Sequence, residues 1–142
     1  MNTNIIAALL LAASAGASAN SLVVTNVTTA TKGSETTSIS LDLVSSGTAS
    51  AVDFQIDTGI RGNDAAFDLS ACLQGIKGRA GKCAVENGVI FGGFFSANQD
   101  ALAKGSVSLG RVTIRAKGVT LKSTFEAVNF FGKPVESSVS VN

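Results

Sequence analysis

The sequence predicts an all-β protein built as an antiparallel sandwich of about nine short strands. Three observations carry that prediction. Apolar and polar residues alternate with period two along most of the chain. Turn signals rich in Gly and Asn recur between the alternating runs. The composition, 29 Ser plus Thr and 15 Gly against one Pro, suits strands and turns better than helices. Strands with one apolar face need a second sheet to cover that face, hence a sandwich.

Taken in order, the chain opens with nine apolar residues, 5–13, followed by the small residues Ala17-Ser18-Ala19. This is the pattern of an export signal cleaved after Ala19, leaving a secreted or periplasmic domain over 20–142. The apolar run is too short to cross about 30 Å of hydrocarbon, and no later stretch is apolar enough to span a membrane. Strands are predicted over 22–27, 82–86, 89–95 and 121–131. Ile39, Leu41 and Leu43 alternate with Ser38, Ser40 and Asp42. Val52, Phe54 and Ile56 alternate with Asp53, Gln55 and Asp57, and Val112, Ile114 and Ala116 with Arg111, Thr113 and Arg115. Val135, Val139 and Val141 share a face. Asn87-Gly88, between two apolar runs, is the strongest hairpin turn. Gly92-Gly93 reads as a bulge, and a short helical turn capped by Ser96 fits 96–103.

The inventory removes much chemistry. Eleven basic against ten acidic residues leave no field for a phosphate backbone, so no nucleic acid is expected. With no histidine, a His-based triad and a His–zinc site are excluded. Trp and Tyr are absent, which counts against a sugar-stacking platform. Asp53 and Asp57 lie about 13 Å apart along a strand, beyond the separation of paired glycosidase carboxylates. Cross-strand pairing with Arg111 and Arg115 explains them instead. Asp57, Asn63, Asp64 and Asp68 lack the spacing of a calcium loop and read as turn caps. No catalysis, metal or cofactor is expected. Cys72 and Cys83, the only cysteines, are expected to form a disulfide in an exported chain. The loop between them carries Lys77 and Arg79 and ends at Lys82; it reads as a solvated basic loop, or as a clamp for an acidic ligand.

The order of these strands resembles that of a cohesin-type module. The likeness runs from Ser21 to Val141: the opening series Val23, Val24, Val27, Gly33 and Leu41, the strand 50–57, the strand 89–97, the strand 109–117 and a closing pair over 125–141. The resemblance implies a nine-stranded jelly roll without catalytic activity that binds a protein partner, in the family a calcium-loaded dockerin. It also implies that the partner crosses a sheet in which strands 50–57, 89–95 and 107–117 are neighbours. The outward, partner-binding residues would then be Asp53, Gln55, Asp57, Ile90, Phe94, Arg111, Thr113 and Arg115. Asp53 matches an acidic position of the family's binding strand, whereas Ala51 and Ala97 stand where polar and acidic residues are common. On this assignment Val89, Phe91 and Phe95 face the core, while Ile90 and Phe94 form an apolar strip, either an interface or a surface covered by a loop. Alternative readings of the scaffold are a module for extracellular polysaccharide and a structural or adhesive subunit of the cell surface.

Overall fold

The computed structural model describes residues 19–61, 65–74, 76, 79–96 and 100–142. The expected export signal as far as residue 18, Asn63, Asp64, Lys77, Ala97 and the centre of the expected 96–103 turn lie outside the described residues. Among the described residues there is no helix and there are ten strands: β1 (Asn20–Thr31), β2 (Ser34–Ser45), β3 (Ala51–Asp57), β4 (Ala66–Asp68), β5 (Ala80–Glu86), β6 (Val89–Phe95), β7 (Gly105–Arg115), β8 (Lys122–Val128), β9 (Pro134–Val135) and β10 (Ser137–Val141).

They form two five-stranded sheets, a front sheet β9-β8-β3-β6-β5 and a back sheet β10-β1-β2-β7-β4. The jelly-roll sandwich expected from the sequence is therefore present. Every pairing is antiparallel except that of β10, which runs parallel to β1. The chain changes sheets between Val135 and Ser137, so the three valines expected on one face divide between the sheets. Val135 and Val139 pack on the core, while Val141 is exposed.

The period-two pattern explains the core. Leu22 and Val24, Ile39, Leu41 and Leu43, Val52, Phe54 and Ile56, and Val112 and Ile114 all point between the sheets and are buried. In β7 the apolar phase slips from Leu109 to Val112. The pairing slips with it: Leu41 faces Gly110 while Asp42 faces Ser108, leaving Leu109 as the extra residue of a bulge. Gly110 adopts φ +104°, and a Cβ there would meet the Ala71 carbonyl. Residues 71–73 dock on this bulge, with Leu73 N–H donating to Leu109 O (2.6 Å) and Arg111 N–H to Ala71 O (3.1 Å).

Gly92 and Gly93 do not form the bulge expected from sequence. β3 and β6 pair in unbroken register, Phe54 opposite Gly92 and Asp53 opposite Gly93. A Cβ at position 92 would enter the Phe54 ring, so the glycine there permits close approach rather than a kink. The turn between β5 and β6 is the expected hairpin, with Asn87 at φ +50° and Gly88 at φ +79°, as a type I′ turn requires.

Cys72 and Cys83 are bonded, their Cα atoms 6.2 Å apart. Cys83 belongs to β5, at the edge of the front sheet, and Cys72 bridges Gly110 of the back sheet, so the bond ties one sheet to the other. Reduction should lower stability by about 2–3 kcal/mol, a fall in Tm of about 10 °C, with the strand spectrum retained below the transition. Circular dichroism melts with and without reductant measure this, and superimposable melts would refute it. Gly92→Ala should cost about 1–3 kcal/mol by overpacking against Phe54. Urea unfolding reads that loss, and an unchanged midpoint would show that the ring yields freely.

Candidate functional site

Hairpin and sheet pairing fix which side chains share the outer wall of the front sheet. Across β8, β3, β6 and β5 the register aligns four outward rows. The first is Val128, Ala51, Phe95 and Ala80. The second is Glu126, Asp53, Gly93 and Lys82. Thr124, Gln55, Phe91 and Ala84 make the third, and Lys122, Asp57, Val89 and Glu86 the fourth. Pro134 of β9 continues the first row beyond Val128, so that end of the wall is apolar across all five strands.

Phe91 and Phe95 are 38% and 56% exposed on either side of Gly93. They stand about 13 Å apart along β6. Where Gly93 has no side chain, and where Ala51, Ala80 and Ala84 have short ones, the wall sinks into an open depression of about 790 Å³. Asp53 and Glu126 border it on one side and Lys82 on the other. Two exposed aromatic rings on the outer face of a sheet, with a charged border, have the anatomy of an interface: an apolar centre and a polar rim. Phe130 and Phe131 add two more exposed rings, with centroids 3.9 Å apart, in the turn that follows Val128. That turn is held by Asn129, whose Oδ1 accepts from the N–H groups of Phe131 (3.0 Å) and Lys133 (3.1 Å).

The residues predicted to form the site part company here. Asp53, Gln55 and Asp57 lie on the wall as expected. Ile90 and Phe94 do not: at 0% and 3% exposure they belong to the core, and Val89, Phe91 and Phe95 take the outer face instead. The cause is the phase set by the Asn87-Gly88 turn. It pairs Glu86 with Val89, so both point the same way, and the charged Glu86 takes the solvent side. Arg111, Thr113 and Arg115 are also misplaced. β7 lies in the back sheet between β2 and β4, which puts these three on the opposite side of the molecule. Alternation correctly turned them away from the core, but it does not say which sheet carries a strand. The cross-strand pairing of Asp53 and Asp57 with these arginines is absent for the same reason. Glu126 was missed, Lys82 was read only as the end of a basic loop, and Phe91 and Phe95 were read as core.

Asp57 instead binds Arg61, Nη1 to Oδ1 and Nη2 to Oδ2, both at 3.2 Å. That is the ion pair present among the described residues. Its carboxyl is held below the ordinary value of 3.8, first by this hydrogen bond and then by the Gly59 N–H. Asp68 is lowered too, by the hydroxyl and N–H of its Ser70 turn. Both carboxylates therefore cap turns, as expected from sequence. Among the described residues no group of acids, cysteines or histidines could hold a metal ion.

The fold is that of the cohesin-type β-sandwich. No family model matches the sequence, and no curated protein is similar to it. Solved structures are. A non-cellulosomal cohesin from Archaeoglobus fulgidus aligns with a TM-score of 0.59 at 12% identity, over 87% of this chain and 88% of that one. The type II cohesin A11 from Bacteroides cellulosolvens aligns at 0.57 and 11% identity, over 84% and 95%. A type II cohesin from Acetivibrio cellulolyticus, solved in a cohesin–X-dockerin complex, aligns at 0.51 and 11%, over 85% and 95%. The chain is thus structurally similar to cohesin modules across most of its length.

Folded-state carboxyls with lowered pKa contribute stability that is fully present above the ordinary value and is lost as pH falls through the lowered one. Acid should therefore weaken the protein below about pH 4. Arg61→Ala should return the Asp57 titration toward 3.8 and leave Asp68 where it is. Carboxyl-carbon NMR titration distinguishes the two, and an Asp57 that does not move would remove Arg61 as the cause.

Proposed function

We propose that this protein is a secreted, non-catalytic docking module that holds a protein partner on the outer wall of its front sheet. The observation that carries the proposal is the depression between Phe91 and Phe95, floored by Gly93 and flanked by Asp53, Glu126 and Lys82. Apolar area left in water on a rigid sheet is stabilised when a complementary surface covers it, at about 25 cal/mol per Å². The neighbouring acids and lysine would set the orientation of what binds. The likeness to a cohesin solved with an X-dockerin supports a dockerin-like partner, and the export signal and disulfide fit an extracellular setting. The absence of Trp and Tyr, together with an aromatic pair separated by a notch rather than forming one platform, favours protein over polysaccharide.

Phe95→Asp should leave the melting curve unchanged, because the ring is exposed, and should weaken partner capture by about thirtyfold or more, as loss of a central aromatic anchor does. Phe94→Asp should unfold the protein. Affinity capture from the secretome of the source organism, with and without calcium, identifies the partner, and calorimetry on the purified pair gives the affinities. Retention of full affinity by Phe95→Asp would place the site elsewhere. Depletion of the protein by insoluble polysaccharide, reversed by the same substitution, would favour a glycan ligand.

A further inference from the structure

We infer that the front wall also pairs with a second copy of itself, face to face about a two-fold axis that runs parallel to the strands. The inference rests on the reading of this wall as a docking surface and concerns what covers it when no partner is bound.

The order of charge along the rows favours this pairing. Reading from β8 to β5, the second row runs acid, acid, gap, base: Glu126, Asp53, Gly93, Lys82. The fourth runs the other way, Lys122 at the β8 end and Glu86 at the β5 end, with Asp57 between them already neutralised by Arg61. A two-fold axis along the strands keeps each row at its own height and reverses its strand order. It therefore sets Glu126 over Lys82 of the other copy, and Lys122 over Glu86, twice each. Both charged rows are complementary to their own reversal, although their polarities are opposite.

Shape follows the same operation. Phe95 meets Ala51 of the second copy, a large side chain against a small one. Asp53 is carried over the notch at Gly93, beside Lys82, which has no ion pair among the described residues. Two sheets packed this way lie about 10 Å apart with strands within about 30° of each other, the ordinary geometry of stacked sheets. The four strands frame roughly 19 by 24 Å, about 450 Å² per copy, against about 800 Å² in a stable complex. The pair is accordingly weak and concentration-dependent, and it gives way to a partner that fits the wall better.

Sedimentation equilibrium from about 10 μM to about 1 mM chain reads the association. The protein should dimerise within this range. Lys82→Glu and Glu126→Lys should each weaken the dimer by about tenfold or more, since each sets like charges together. An equimolar mixture of the two variants should recover the affinity of the original chain, because every contact in the mixed pair is again acid on base. A pairing that sets position 82 over position 126 of the other copy predicts that recovery. A chain that stays monomeric at 1 mM, or charge reversals without effect, or a mixture that does not recover, would overturn the inference. A monomer whose partner capture is lost in Phe95→Asp overturns the self-pairing alone and keeps the docking function. A charge-controlled dimer whose partner capture ignores Phe95→Asp supports the self-pairing and removes the docking function.

Discussion

The ring of Phe54 occupies the space that a side chain at position 92 would need, and the front sheet is organised around that contact. With Gly92 beneath the ring, β6 packs closely on β3, and every second residue shares that inward phase: Ile90 and Phe94 lie in the core, Phe91, Gly93 and Phe95 face out. A one-residue slip would exchange the two sets and turn Phe91 and Phe95 inward. The exposed wall thus shares its register with an interior packing contact, and the two adjacent glycines have separate tasks. Gly92 admits the ring from within, and Gly93 leaves the notch without.

The two sheets are held in relation by more than hydrophobic contact. The bulge at Leu109 changes the phase of β7 and opens the place where residues 71–73 lie down. Cys72, carried by that segment, reaches across to Cys83 in the edge strand of the wall. β5, which supplies Lys82 and Ala84 to the depression, is an edge strand and would otherwise be held by β6 alone. The disulfide anchors that side of the wall to the opposite sheet.

Much of this was legible in the residues. Alternation located most strands and the inward sets of β2, β3 and β7, and Asn87-Gly88 marked its hairpin. The two cysteines announced their bond. The candidate site was less legible, for two physical reasons. In β6 both faces are apolar, so periodicity alone cannot choose between them. The choice is made by Glu86, which shares a side with Val89 across a two-residue turn and is too costly to bury. That signal was present in the sequence, three residues upstream of the first residue of the strand it decides. The assignment of β7 to a sheet is a matter of long-range topology. Arg111, Thr113 and Arg115 would alternate in the same way in either sheet, so their pattern held no information about which side of the molecule they face.

The parallel pairing of β10 with β1 has a further consequence. Asn20, fully buried at the head of β1, is held by the Glu136 carbonyl, 116 positions later in the chain. The earliest strand to emerge during synthesis thus lacks one neighbour until nearly the whole domain has been made. Its hairpin with β2 can form at once, but contacts of such long range close last and slowly. The sandwich is therefore completed only when the last strand reaches the first.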